Sequence, residues 1–315
     1  MIKNLTLLLT NKCNGKCRIC NIWQHKITEN EMTVEQIQKL LLLDDFKEVD
    51  VVSLSGGEPF LRNDILEILQ IIFESLKNLN TLYLNTNAIL IKNIYESCEL
   101  AVKNVANVVL SVSLEGGRQT NYNVRGIDNY NTAIELLTGI KKKFPSIKTS
   151  ISMTLNPYNA NLESLEHVKY IASHTGSDYS FRFADNSEDY YHNEELMLEV
   201  DKNSKNIVAE FIKNNLYDNP FMQVLYNYIK TNENPLVIDK YGKNICMAGS
   251  EFVFVKPDGT IYPCLGSNRC IGNLERGIFE KNIKDLGKYE KCPCCTECCT
   301  WPMITMNAGL EGNNQ

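Results

Sequence analysis

Six apolar, β-rich runs alternate with helical patterns over the first two-thirds of the chain, and this alternation restricts the fold more than any other feature. The strand candidates are residues 4–9, 49–54, 81–85, 108–114, 148–155 and 179–184. Their Val, Ile, Thr and aromatic content predicts near-continuous burial, as in a parallel sheet. Between them, Thr33-Val34-Glu35-Gln36 reads as a capping-box start for a helix reaching Leu43, and Asp64 opens another to about Lys77. Helical patterns at 93–103, 132–143, 162–173 and 194–214 complete the alternation. Six strand–helix units predict an α/β fold, either a partial (β/α)6 TIM-type barrel or an open doubly wound sheet. Both place functional loops at the carboxyl ends of the strands.

The pattern changes after about residue 215. Asn219-Pro220 starts a short helix over 221–230, a polar stretch at 231–235 reads as a linker, and 251–262 forms a β-hairpin around Pro257-Asp258-Gly259. The expected division is a barrel at 1–215, a linker helix and loop at 216–244, and a small cysteine-rich hairpin domain at 245–315. That last segment is too short to bury much core, so metal is its expected stabiliser.

Cysteine placement supports metal at both ends. Of 12 cysteines, three lie near the N-terminus, Cys98 stands alone, and the rest follow residue 245. The net charge of −6 argues against general nucleic-acid or acidic-membrane binding. No stretch approaches the ~18 apolar residues of a membrane span, and the N-terminal run reads as a strand, not a signal peptide. A cytoplasmic chain is expected, and that compartment disfavours disulfides.

Cys13, Cys17 and Cys20 are spaced C-x3-C-x2-C just past the first strand. Three thiolates are one short of a closed tetrahedral site, and an iron–sulfur cluster held by three would keep one iron open to a non-protein ligand. A zinc site completed by His25 is the competing reading. After the second strand comes Gly56-Gly57-Glu58-Pro59. Two glycines let backbone approach a ligand closely and proline directs the exit; a plain strand-to-helix turn needs the same residues.

With both motifs following successive strands, the chain resembles the radical S-adenosylmethionine (SAM) superfamily. The resemblance implies a [4Fe-4S] cluster on Cys13, Cys17 and Cys20, with SAM chelating the fourth iron and Gly56, Gly57, Glu58 and Pro59 at its amino group. It further points to Asn87 in Thr86-Asn87-Ala88, where the family often has Thr-Asn-Gly, and to Ser111 and Ser113, with Glu115, beside the ribose or methionyl part. Arg125-Gly126 matches a common Arg-Gly, and Arg182 faces the SAM carboxylate or a substrate anion. Ile19 replaces the usual aromatic and is expected near adenine.

The tail looks like the SPASM and twitch auxiliary-cluster domains of that superfamily. Cys246 and Cys264 flank the hairpin, and Cys292-Pro293-Cys294-Cys295 adds a C-x2-C. Cys246, Cys264, Cys292 and Cys295 are the expected ligands of an auxiliary [4Fe-4S] cluster, with Cys298 or Cys299 as substitutes; a zinc ribbon is the alternative.

The resemblance implies reductive cleavage of SAM to a 5′-deoxyadenosyl radical that abstracts a substrate hydrogen atom, with electrons from an external donor such as flavodoxin or ferredoxin. The compact one-cluster form, and a chain beginning at its first strand, favour oxidation of a small molecule such as a sugar or aminocyclitol. Ribosomal-peptide maturation by thioether formation or epimerisation is the alternative, and a non-catalytic zinc-binding module a more distant one. The loop at 185–192 is expected to line the substrate site.

Overall fold

The computed structural model describes residues 1–24, 30–187, 190–231, 247–265, 267 and 269–278. Six parallel strands run in sequence order across one sheet: β1 (Asn4–Leu8), β2 (Val51–Ser55), β3 (Thr81–Thr86), β4 (Asn107–Ser113), β5 (Lys148–Leu155) and β6 (Asp178–Phe183). The connecting helices are α1 (Val34–Leu41), α2 (Ile65–Ser75), α3 (Ile91–Asn104), α4 (Arg118–Arg125), α5 (Tyr130–Lys143) and α6 (Leu162–Thr175), followed by α7 (Lys202–Asn215) and α8 (Pro220–Thr231). This is an α/β partial barrel. Among the described residues no helix is long and apolar enough to cross a membrane.

The strands depart from the expected burial. Strands β2 to β5 alternate with period two: Leu82, Leu84, Leu110, Val112, Ile151 and Met153 are fully buried on the helix side, each stabilising the fold by about 1.5–3 kcal/mol. Their neighbours Tyr83, Asn85, Ser111, Ser113, Ser150, Ser152 and Thr154 face a lumen instead. A curled, incomplete barrel leaves a polar inner face, whereas near-continuous apolar runs belong to sheets covered on both sides.

Two helices differ from expectation. Thr33 and Gln36 form the capping box at α1, but α7 starts at Lys202 rather than near residue 194, because Asp201 caps it by accepting from Asn203 N and Ser204 N. Helix α4 lacks an apolar period; only Asn121 and Val124 are buried on it.

The hairpin strands β7 (Phe252–Val255) and β8 (Thr260–Tyr262) join this same sheet. β7 lies parallel to β1, pairing Asn4 with Phe252 and Leu7 with Val255. Short strands β9 (Gly272–Asn273) and β10 (Gly277–Ile278) continue beyond β8. Cys246, Cys292, Cys295, Cys298 and Cys299 lie outside the described residues, as does His25.

Candidate functional site

The loop carrying the three cysteines is held on every side. Below it, Leu9 N donates to Ser55 O at 2.9 Å, Gly57 N to Thr10 O at 2.7 Å and Glu58 N to Lys12 O at 2.8 Å. A Cβ on Gly57 would overlap Lys12 O, and one on Gly56 (φ +126°) would overlap Thr10 O. What the two glycines approach closely is therefore the backbone of the cysteine loop. Thr10 Oγ1 donates to Glu31, which accepts also from Asn11 N, and Arg62 lies 3.8 Å from the same carboxylate.

From the other side α4 fastens the loop, Lys16 N donating to Arg125 O and Arg18 N to Val124 O at 3.1 and 2.8 Å. Gly126 adopts φ +65°, and a Cβ there would meet the Lys16 carbonyl, which gives the Arg-Gly pair a backbone reason. The loop after β6 closes the third side: Asn193 Nδ2 donates to Ile19 O at 2.8 Å and Asn21 N to Tyr191 O at 2.8 Å. Ile19 packs on Val124 and Leu198.

The three cysteines open on one cavity of about 860 Å³. Gly56, Gly57, Glu58, Pro59, Asn87, Ser111, Ser113 and Arg182 line it too, as do Ile19, Asp185, Tyr190 and Tyr191. Cys264 is buried after β8 and does not line the cavity, although its neighbour Leu265 does.

The electrostatics suit a metal cluster. Burial pushes Cys13 up to about 11 and Cys20 to about 12, and raises Cys17 as well; thiols so buried stay neutral until a metal draws off the proton. A Cβ at Gly15 would sit 3.6 Å from Cys13 Sγ and 3.7 Å from Cys17 Sγ, so that glycine keeps the loop interior clear. Among the described residues no three His, Cys, Asp or Glu side chains are grouped to chelate a single metal ion. Two buried guanidinium atoms at the cavity, Arg125 Nε and Arg182 Nε, have no hydrogen-bond acceptor. The residues fit a [4Fe-4S] cluster with a polar ligand beside it.

Glu58 is spent internally: it accepts from Thr86 Oγ1 at 2.9 Å, Asn87 N at 2.8 Å and Phe60 N at 3.4 Å. Asn87 in turn donates to Asn14 Oδ1 at 2.6 Å, joining β3 to the cysteine loop. Ala88 holds φ 63°, a left-handed position that explains a usual glycine. Glu115, fully buried, accepts from Thr154 N at 2.8 Å, Asn159 Nδ2 at 3.2 Å and Arg125 Nη1 at 3.4 Å. The polar lumen positions Tyr83, Asn85, Ser150, Ser152, Thr154 and Ser180 were not singled out in the sequence; alternate polar residues within the strand runs were the available signal.

Burial pushes Glu58 up to about 7 from 4.5. The folded protein keeps this proton over a window in which the unfolded chain releases it, so stability falls as pH rises from about 4.5 to about 7. Glu58→Gln removes the dependence. In urea unfolding of the metal-free protein, the difference between variant and wild type should move by about 3 kcal/mol in the variant's favour between pH 4 and pH 8; a flat difference would refute the buried ionisation.

A model of the Radical SAM superfamily matches residues 7–170. Among curated relatives, a probable GTP 3′,8-cyclase of Methanocaldococcus jannaschii is 29% identical over 168 residues, 53% of this chain and 54% of that protein. One from Thermococcus kodakarensis is 39% identical over 70 residues, 22% and 23% of the two chains. The chain thus spans about half or less of these two relatives. Among solved structures, Streptococcus suis SuiB bound to S-adenosylmethionine aligns with TM-score 0.63 at 18% identity, over 93% of this chain and 67% of that one. Native anSMEcpe with bound AdoMet and Cp18Cys peptide aligns with TM-score 0.62 at 17% identity, over 93% and 83%.

Proposed function

The chain belongs to the radical SAM superfamily, and from that premise we propose that it is an enzyme that abstracts a hydrogen atom from a polar organic substrate held in the barrel lumen. The carrying observation is that one cavity joins the cysteine triplet to a wall of hydroxyl and amide side chains. A [4Fe-4S] cluster and SAM, when bound, supply a carbon-centred radical able to attack an unactivated C–H bond. Cys13, Cys17 and Cys20 would hold the cluster, and the Gly56–Pro59 segment with Asn87, Ser111 and Ser113 would hold SAM. The chain's own work is to fix the loop, supply hydrogen bonds to the substrate and keep bulk water from the reacting carbon.

We favour a polar small molecule, and oxidation as its outcome. The relatives' name, GTP 3′,8-cyclase, places a phosphate-bearing nucleotide among the substrates to try. An auxiliary [4Fe-4S] cluster on Cys246, Cys264, Cys292 and Cys295 belongs to this reading; Cys264 is buried beside the cavity-lining Leu265. Peptide modification is the second reading. It is favoured by alignment over 93% of the chain with SuiB bound to its precursor peptide SuiA and with peptide-bound anSMEcpe. An external one-electron donor such as flavodoxin or ferredoxin completes either scheme.

Anaerobic reconstitution with iron and sulfide tests this. The expected result is a brown protein that releases 5′-deoxyadenosine from SAM and reductant. A colourless zinc protein without acid-labile sulfide would overturn it. Deuterium transfer from labelled GTP, sugars or peptides into 5′-deoxyadenosine then separates the substrate readings.

A further inference from the structure

Two arginines enter the cavity, and their circumstances differ. Arg125 is 12% exposed and pairs with Glu115 at 3.4 Å; its backbone carries the cysteine loop through Lys16 N. Arg182 lies on β6 opposite Thr154 of β5, near the carboxyl end of the sheet. Its Nη2 donates to Tyr191 Oη at 3.3 Å, its Nε has no acceptor, and no ion pair reaches it among the described residues. Glu115 and Asp185 are the acids within electrostatic reach. Glu115 is committed to Arg125, Thr154 N and Asn159.

A buried guanidinium N–H without an acceptor is costly, and a ligand in the cavity would complete it. The fork is braced rather than loose: Tyr191 packs edge-on against Tyr190 at 4.6 Å, and Tyr190 Oη donates to Gly56 O at 3.3 Å. Beside it, register pairs Ser152 of β5 with Ser180 of β6, both lining the cavity. A guanidinium fork flanked by hydroxyls is suited to a carboxylate or phosphate.

We propose that Arg182 anchors an oxyanion of the substrate, a carboxylate or a phosphate, in the lumen. The inference rests on the radical SAM reading of the cavity. Arg125 is the cation within electrostatic reach of Cys13 and Cys17, whereas the charged neighbours of Arg182 are Tyr191, Asp185 and Tyr190, none of them a cysteine. That leaves Arg182, on the last strand of the barrel, for the second reactant.

The test uses cluster-loaded enzyme with SAM bound, titrated by calorimetry with inorganic phosphate and, separately, with acetate. At least one anion should bind the wild type, and Arg182→Met should weaken it by about tenfold or more while SAM affinity stays within about twofold. The anion that binds more tightly identifies the source chemistry. Equal binding to wild type and variant, no binding to the wild type, or a tenfold loss of SAM affinity would each overturn the proposal. The metal-free Arg182→Met protein should melt no lower than wild type, because a buried donor without an acceptor has been removed. If it does not fold, Arg182→Lys, which keeps the charge but loses the fork, should still weaken phosphate several-fold, and unchanged binding would refute the anchor. Failure to release 5′-deoxyadenosine would strike the parent reading, whereas the calorimetric result bears on Arg182 alone.

Discussion

Cys17→Ala is expected to leave a folded protein that holds no stable cluster and forms 5′-deoxyadenosine at least about a thousandfold more slowly, a loss of some 4 kcal/mol in transition-state terms. The loop geometry is the reason. Lys16 and Arg18, on either side of Cys17, are both hydrogen-bonded to α4, and Cys20 N donates to Cys17 O at 3.4 Å. Those bonds hold position 17 in place, and Cys13 and Cys20 would each be committed to an iron of their own, so neither can stand in for the missing sulfur. The metal-free fold should hardly notice the change, because the Cys17 thiol is half-buried at the cavity wall and leaves no void in the packed core. Iron and sulfide content, cluster absorption and circular dichroism separate the two effects. Cys98→Ala is the control: Cys98 is buried on α3 and is not among the cavity-lining residues, so its loss should cost about 1 kcal/mol of stability and no iron. Equal iron loss in both variants would mean that Cys17 acts through the fold rather than as a ligand.

The contrast between these cysteines shows what was legible in the sequence. The triplet and Gly56-Gly57-Glu58-Pro59 could be read because each lies within a few residues of a strand end, where spacing alone determines which side chains share a loop. Their partnership is a different matter. That Gly57 approaches Lys12 rather than a ligand depends on β1 and β2 being neighbours in register, with Leu8 opposite Ser55. The serines of the lumen were hidden by strand propensity: β5 reads as Lys-Thr-Ser-Ile-Ser-Met-Thr-Leu, a good strand whichever face is wet. Curling of the sheet, a property of the whole fold, decides that Ser150 and Ser152 line a cavity. Helix α4 escaped because its stabilisation comes from Gly126 and the loop it clamps, not from an apolar stripe. The Pro-Asp-Gly hairpin was local and visible, but nothing within it specifies pairing with the free edge of β1.

Gly57→Ala carries the second large effect, and it is the variant in which sequence motif and site geometry are hardest to separate by inspection. An added methyl at Gly57 would overlap the carbonyl of Lys12 and come within 3.0 Å of Asn11 O. Both obstacles are backbone, so no rotamer change relieves them. The loop must move, and the bonds from Gly57 N to Thr10 O and Glu58 N to Lys12 O must lengthen or break. We expect a cost of about 3 kcal/mol in the metal-free protein, read by urea unfolding, together with a cluster that assembles slowly and bleaches in chelator. A methyl that merely crowded a bound cofactor would behave differently, weakening SAM binding while leaving metal-free stability and iron content as in wild type. Lys12→Gly cannot rescue Gly57→Ala, since the colliding atom is main chain; Ser55→Gly cannot either. Retention of full stability by Gly57→Ala, with only SAM affinity reduced, would show that the glycine serves the ligand. Loss of stability before any cofactor is added would show that it serves the loop, and that the motif's first task is to place three sulfurs.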